Sequence, residues 1–177
     1  MKRNVLIFGL VLGTILCVNM IYTVNLCYTN PDFTGDDIVG YAAMVVIFSL
    51  TFVGIRNYRN QQLNGAISFG QAFKTGALIT LMGATMYVVV WLFYYYLFVP
   101  DYLDKYIPHV LKDAARDGVS AGDLADKAEE MENFKEMYKS PFFVILITYA
   151  EVLPVGLVVA LVSALILKRK NTSEVNA

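Results

Sequence analysis

The sequence predicts an all-α integral membrane protein: a four-helix bundle with a helical hairpin in the extracytoplasmic loop between its third and fourth membrane helices. Three observations lead to this prediction. Hydrophobic residues make up 57% of the 177-residue chain, whereas charged residues make up 16%, against about 25% in soluble domains. The apolar residues are gathered into four long blocks. The basic residues flank these blocks at alternate ends.

Each of the four blocks is long enough to cross a hydrocarbon core of about 30 Å, which requires about 20 helical residues. The first block is longer than the apolar core of a signal peptide, which has about 7–15 residues, and no small-residue cleavage site follows it. We therefore interpret it as a retained helix. The predicted spans are residues 4–26, 38–55, 75–99 and 142–167, within a single domain of residues 1–177.

The distribution of Lys and Arg predicts the orientation of these helices. The first connecting loop has three acids and no base, and the long loop between the third and fourth helices has ten acids and six bases. Basic flanking residues remain on the cytoplasmic side, so we expect an inner-membrane protein with both termini in the cytoplasm. The flanking basic residues are Lys2, Arg3, Arg56, Arg59, Lys74, Lys168, Arg169 and Lys170.

Two capping signals predict helix starts. Ser68 followed by Gln71 forms a capping box, in which both side chains satisfy free backbone groups, so the third helix should begin near Phe69. Ser140 followed by Pro141 should start the fourth helix, because proline at the first helical position loses no hydrogen bond.

The long loop, residues 100–139, contains two segments of helical periodicity separated by Gly118. Ser120 with Asp123 is a cap for the second segment. We therefore expect a helical hairpin outside the membrane, lying over the mouth of the bundle. The apolar face of its second helix carries Leu124, Ala128, Met131, Phe134 and Tyr138.

The aromatic run WLFYYYLF, residues 91–98, ends the third helix. Trp and Tyr rings are apolar with polar tips, which favours the membrane–water interface. We interpret the run as an aromatic belt at the outer face. A cofactor or ligand box is the alternative.

Several stretches together resemble a known family: FVGIRNYRNQQLNGAISFGQAFKTGALIT, VVVWLFYYY, FKEMYKSP, and EVLPVGL with a trailing LKRK. Over nearly the whole chain this pattern resembles domain-of-unknown-function family 4199, small four-helix bacterial membrane proteins common in the Bacteroidetes. The resemblance implies an inner-membrane location in a Gram-negative cell. It implies no activity, so no catalytic or binding residue is carried over.

Motifs for catalysis, phosphate binding or metal binding are absent from the sequence. Cys17 and Cys27 lie about 15 Å apart along one predicted helix, too far for a disulfide between them. The single histidine, His109, has no neighbouring thiol for a zinc site. We therefore expect no enzymatic activity, no cofactor and no metal. A net charge of -1 gives no basic field for nucleic acid, so the expected partners are the lipid bilayer and either another membrane protein or a second copy of this chain.

Small residues mark candidate helix-packing positions. Gly9 and Gly13 form a Gly-x-x-x-Gly pattern in the first helix, and Gly156, Ala160 and Ala164 form a ridge in the fourth. Small residues let helix backbones approach closely inside lipid. Homodimerisation through Gly9 and Gly13 is the alternative to packing within the chain.

Glu151 is the one acidic residue inside a predicted span, about 15 Å along the fourth helix. Such residues face the bundle interior, because exposure of a charge to lipid costs about 2.5–3.5 kcal/mol on insertion scales. Thr148 lies one turn before it, and Pro154, one turn after, frees the carbonyl of Ala150. Three roles stay open for this group: hydrogen bonding by the neutral acid in a dry core, a proton or ion role, and contact with a substrate or lipid.

The sequence favours a non-enzymatic accessory or interaction protein, with a small transporter or ion or proton conduit using Glu151 as the alternative. A wet cavity shared by Glu151 and other polar residues would favour transport. One or two partners in a dry core would favour the accessory role. The candidates for a polar interior are Asn19, Asn25, Ser49, Thr51 and Thr85.

The predicted orientation is testable with cysteine reporters in a variant whose native cysteines are replaced by serine. We expect Gly118→Cys to react with a membrane-impermeant maleimide in intact cells, because the charge pattern places it outside. Gln61→Cys, the control on the basic side, should react only after the inner membrane is permeabilised. The reverse pattern would contradict the orientation.

Overall fold

The structure is a computed structural model that describes residues 1–34 and 37–169. Two groups that contribute to the charge pattern above, Asp36 and Lys170, lie outside the described residues. Within the described ranges the chain forms seven α-helices: α1 (Lys2–Thr29), α2 (Asp37–Phe48), α3 (Leu50–Gln62), α4 (Phe69–Phe98), α5 (Tyr102–Arg116), α6 (Ala121–Met137) and α7 (Pro141–Leu167).

Four helical segments of the described chain are long and apolar enough to cross a membrane: α1, the α2–α3 segment Ile38–Gln62, α4 and α7. This agrees with the number of predicted spans. The second segment extends beyond the predicted residues 38–55, because its helix continues after the apolar run ends. It is also broken at Ser49, whose hydroxyl donates to the carbonyl of Val46 at 2.6 Å. Hydroxyl bonding back to the preceding turn often bends helices.

The third span also begins earlier than residue 75. The capping box forms as expected, with the Gln71 amide donating to the Ser68 hydroxyl, and it starts α4 at Phe69. In this span too, the helix therefore begins before its apolar stretch does.

Helix α4 is central and packs most extensively against α1 and α7. Glycines permit its approach to α1. A Cβ atom on Gly83 would lie 2.3 Å from Leu12 Cδ2, and one on Gly9 would lie 2.6 Å from Met82 Cβ. Gly13 similarly faces Met86. The glycine face of α1 is thus covered by α4 of the same chain, and homodimerisation through it finds no free surface in this arrangement.

The small residues of α7 face α4 and α2. A Cβ atom on Gly156 would lie 2.4 Å from Thr80 Cγ2 and 2.5 Å from Phe48 Cε1. The Thr80 hydroxyl donates to the Gly156 carbonyl at 3.2 Å, which places a buried hydrogen bond at this contact. Ala160 and Ala164 are fully buried, Ala160 against Gly76 of α4.

The core is arranged in three layers along the helices. Leu12, Leu16, Phe48, Ile79, Ala84 and Val152 form the middle layer. The layer at the end of α3 and α7 contains Ile55, Ile67, Ala72, Ala164 and Leu167. The opposite layer joins α1, α4 and α7 to α5 and α6. It contains Met20, Val24, Trp91, Tyr95, Val99, Leu103, Ile107, Tyr138 and Val144.

The helix ends that carry the flanking basic residues meet at one end of the molecule, which we call the basic end. The Arg59 guanidinium donates to the Leu167 carbonyl at 3.2 Å, and Ile67 forms an isolated antiparallel bridge with Arg169. The amino group of Met1 donates to the side chain of Gln62. The start of α1 and the ends of α3 and α7 are therefore neighbours.

Helices α5 and α6 cover the opposite end. Leu103, Ile107 and Ala114 of α5 are buried, whereas α6 keeps a half-buried face with no fully buried residue. An ion pair between Asp104 and Lys135 joins the two helices. The turn between them uses Gly118 at φ 82°, a left-handed conformation that glycine adopts without strain.

The aromatic-belt interpretation is wrong for two residues of the run. Trp91 and Tyr95 are both 7% exposed and belong to the core layer beneath α5 and α6. Phe93, Leu97 and Phe98 occupy the outward face of α4. The run therefore divides by helical periodicity into an inward and an outward set.

The close approach of α1 to α4 predicts a contrast between two glycine substitutions. Gly9→Ala should lower the free energy of unfolding by about 1–3 kcal/mol, because the added methyl group overlaps Met82. Gly70→Ala, the control in α4, meets no atom within 4 Å and should leave stability unchanged or slightly raised. Thermal unfolding of the purified proteins in detergent measures both. Equal melting temperatures would contradict this packing.

Candidate functional site

A partly enclosed cavity of about 620 Å³ lies between α1, α2, α4 and α7, beneath α5 and α6. It exists because α2 packs mainly against α7 and only slightly against α1. The gap opens at the end opposite the basic end, beside the loop that follows α1. Its polar lining residues are Asn19, Thr23, Asn30, Asp32, Thr34, Thr148 and Glu151.

Glu151 faces this cavity and is exposed to it rather than enclosed in a dry core. The next residue, Val152, is fully buried in the middle layer, so Glu151 marks the floor of the cavity. Tyr87 and Tyr138 line the same cavity as Glu151. This exposure of Glu151 disfavours hydrogen bonding in a dry core, one of the three roles left open for that residue.

The structure separates Pro154 from the other two residues of the predicted Glu151 group. Thr148 lines the same cavity, is 3% exposed, and donates its hydroxyl proton to the Val144 carbonyl at 2.6 Å. Pro154 lies on another face, in an apolar groove of about 700 Å³ between α7 and the α2–α3 segment. The carbonyl freed by proline is thus not part of a site with Glu151 and Thr148.

Of the five polar residues proposed for the interior, Asn19 alone lines the cavity. Asn25 is exposed, and Ser49 lies in the apolar groove. Thr85 accepts a hydrogen bond from Tyr149 at 2.8 Å on the outer surface. Thr51 is fully buried, and its hydroxyl oxygen has no hydrogen-bond partner among the described residues.

Aromatic residues dominate the cavity walls. The sequence offered a ligand box only as the alternative for residues 91–98, and Trp91 is the one residue of that run in the lining. Trp91 donates its indole proton to the Tyr138 hydroxyl at 3.1 Å and meets Tyr102 edge to face at 5.5 Å. Tyr102 in turn stacks on Tyr106 at 5.5 Å. The rings therefore hold one another in position. The aromatic lining residues are Tyr22, Phe33, Tyr41, Tyr87, Trp91, Tyr102, Tyr106, Phe134 and Tyr138.

Of these tyrosines, Tyr102, Tyr106 and Tyr138 lie outside the spanning segments, and burial shifts the pKa of two of them. Burial raises the pKa of the Tyr102 phenol. Burial also raises the pKa of the Tyr138 phenol, with a smaller contribution from the charge on Glu151, while hydrogen bonds with Trp91 and Thr148 oppose the shift. Both phenols therefore stay uncharged at physiological pH where they line the cavity.

The formal charges on the described lining residues are all negative. Asp32 and Glu151 are acidic, and this lining includes no Lys or Arg. Lys112 of α5 lies near the mouth, where its ammonium is 3.8 Å from the Asp32 carboxylate and 3.2 Å from the Pro31 carbonyl.

Other reactive side chains do not converge on a second site. The described residues contain no group of three or more His, Cys, Asp or Glu side chains that could hold a metal ion. Cys17 and Cys27 are free and buried. His109 packs edge to face on Phe33 at 5.5 Å.

Comparison with known proteins gives one match. A family model described as "Protein of unknown function (DUF4199)" matches residues 6–169, nearly the whole chain. This confirms the family resemblance found in the sequence. No curated protein and no solved structure shows significant similarity to the chain.

The geometry predicts that the cavity is wet while the layer below it is dry. In a variant whose native cysteines are replaced by alanine, Thr23→Cys on the cavity wall should react readily with a small hydrophilic maleimide in detergent. Ala84→Cys, fully buried in the middle layer, should react only after denaturation. Labelling is measured by mass spectrometry. Equally slow labelling at both positions would contradict an open cavity.

Proposed function

The chain belongs to the DUF4199 family, whose function is unknown, and from this premise we propose that it is a small inner-membrane transporter whose substrate site is the cavity above Glu151. The observation that carries this proposal is the cavity itself. Its volume falls within the range of about 300–1,000 Å³ that is typical of small-ligand sites. Like such sites, it combines largely apolar walls with a few polar groups.

The position of Glu151 supports a working role for its carboxylate. Acidic residues inside membrane spans are costly, and where they line a water-filled cavity they commonly mark substrate, ion or proton pathways. Glu151 lies about 15 Å from the start of α7, well inside the span. Its exposure to the cavity lets a ligand reach it without any rearrangement of the core.

The middle layer closes the cavity toward the basic end. Leu12, Phe48 and Ile79 are fully buried in this layer and separate the cavity floor from the basic end. A site that is open to one side at a time is what alternating access requires. A permanently open conduit, by contrast, would need a continuous passage.

Orientation follows from the charges at the basic end. Basic residues near span ends favour the cytoplasmic side, so we place both termini in the cytoplasm and α5–α6 outside as a helical hairpin. The cavity then opens toward the extracytoplasmic space. It would take its ligand from that side in the conformation described here.

The accessory role favoured by the sequence remains the alternative. It requires a partner surface but no cavity, and the wet site at Glu151 therefore favours transport. A membrane enzyme ranks lower, because the described lining of the cavity carries no His, Cys, Lys or Arg.

Substitution of Glu151 separates transport from a structural role. We expect Glu151→Gln to reach wild-type membrane levels and melting temperature, since the amide keeps the size of the side chain, yet to fail in complementing a deletion strain. Glu129→Gln, on the exposed face of α6, is the matched control and should complement fully.

Full complementation by Glu151→Gln would overturn the transport proposal. Proximity crosslinking in native membranes would then be the decisive measurement, because an accessory protein should capture a specific membrane partner. Glu151→Leu extends the comparison. If Glu151→Gln complements and a folded Glu151→Leu does not, the hydrogen-bonding capacity of the side chain is required rather than its carboxylate.

A further inference from the structure

We propose that the apolar groove between α7 and the α2–α3 segment binds one acyl chain of an anionic phospholipid, whose phosphate lies beside Arg56 at the basic end. The groove shares no lining residue with the cavity, so the proposal is independent of Glu151 and of the proposed transport function. The groove is lined by Val45, Ser49, Phe52, Pro154, Val155, Val158, Val159, Val162 and Ser163.

The groove lies where both of its walls depart from regular helical structure. Ser49 interrupts the α2–α3 segment, and Pro154, which has no amide proton, removes one helical hydrogen bond from α7. Both residues line the groove, which has a volume of about 700 Å³. Helices kink at such positions, so we attribute the gap to the backbones of the two walls rather than to a single side chain.

The groove belongs to the part of the molecule that lipid surrounds. Both of its walls lie within segments that are long and apolar enough to cross a membrane. Val45 and Val158 are exposed, so the groove opens outward from the bundle. An unfilled gap would cost its lining the dispersion contacts that neighbouring atoms provide. Hydrocarbon is therefore the material that fills it.

The shape of the lining favours a flexible chain over a second helix. Helices associate in lipid through small residues that let their backbones approach closely. Five of the nine described lining residues are valines, and Phe52 and Pro154 are also bulky. The small residues Gly9, Gly13 and Gly156 already pack against neighbouring helices of the same chain. An acyl chain can follow the branched side chains of this groove, whereas a rigid helix would be held away by them.

One end of the groove carries the positive charge that a lipid phosphate requires. The α3 wall ends at Phe52, and Arg56 follows one turn later on the same face, about 6 Å along the axis. The Arg56 side chain is exposed and forms no hydrogen bond or ion pair with any described residue. Arg59, by contrast, donates to the Leu167 carbonyl of the other wall. The Arg56 guanidinium can therefore bind phosphate oxygens with its planar fork.

The surroundings of this guanidinium favour an anionic headgroup over a zwitterionic one. The described residues 1–31, 38–100 and 152–169, which form the basic end, contain no Asp or Glu. Lys168 and Arg169, both exposed, follow the end of α7. Basic pockets beside membrane helices bind anionic lipid headgroups. The cationic group of a zwitterionic lipid would meet like charges at the same place.

Lipid selection by the wild-type protein tests the proposal without any variant. Purified protein in detergent is mixed with equal amounts of phosphatidylglycerol and phosphatidylcholine that have identical acyl chains, and native mass spectrometry measures the lipid retained. We expect preferential retention of phosphatidylglycerol. A photoreactive group on its acyl chain should crosslink to Val155 and Val158 more than to Val18 and Val89, which are exposed outside the groove. Equal retention of the two lipids, or equal crosslinking at the four positions, would overturn the proposal.

Two pairs of variants test the two parts of the site. Arg56→Gln should lower phosphatidylglycerol retention by about fivefold, the effect expected of one basic group near an anionic headgroup, whereas Arg116→Gln removes the same charge from α5 and should have no effect. Val158→Trp should fill the groove and abolish crosslinking there, and Leu146→Trp, at an exposed position of α7 outside the groove, should not. Wild-type retention by Arg56→Gln would contradict the headgroup assignment.

A second copy of the chain is the competing occupant, and the same spectra detect it. A dimer that Val158→Trp dissociates while phosphatidylglycerol retention is unchanged would overturn the lipid assignment. The outcome is separate from that of the transport test, since lipid retention requires neither complementation nor a change at Glu151. Loss of lipid binding with full activity in complementation would confirm the groove as a lipid site that transport does not need.

Discussion

The close approach of α4 to α1 and α7 is the constraint on which the rest of the structure depends. Inside lipid, helix association relies on packing rather than on expulsion of water, and here that packing runs through glycines. Gly83 against Leu12 and Gly156 against Thr80 leave no space for even a methyl group. These contacts close the middle layer. They also hold α1, α4 and α7 together. Helix α2 has no comparable contact with α1, and it borders the cavity.

Much of the fold could be predicted from the sequence, because its signals are local. Long apolar blocks fix the number of spans, and the Ser68–Gln71 capping box fixes the start of α4. The small residues of α1 and α7 were identified because spacing along one helix determines a shared face. The break at Ser49 and the extension of α3 to Gln62 were missed, since hydropathy marks where lipid contact ends and not where a helix ends.

Less of the site could be predicted, because it depends on which faces of different helices meet. Tyr87 and Trp91 come from α4, Tyr102 from α5 and Tyr138 from the end of α6. No spacing in the sequence relates these positions. Trp91 was assigned to an interfacial belt because a Trp and Tyr-rich segment at a span end has the same composition whether its rings face lipid or a cavity. Glu151 itself was identified, since an acid within an apolar block is conspicuous without any tertiary information.

The three-residue spacing that suggested a Thr148–Glu151–Pro154 group illustrates the same limit. Residues three apart on a helix differ by about 60° in direction, which is enough here to place Glu151 in the cavity and Pro154 in a groove beside the α2–α3 segment.

The α2–α3 segment also matters for the proposed function. Phe48, the fully buried member of the middle layer contributed by α2, directly precedes the break at Ser49. On the proposed transport function, passage of a ligand beyond Glu151 would require this layer to open. A movement of α2 about Ser49 would displace Phe48 while the glycine contacts between α1 and α4 stay closed.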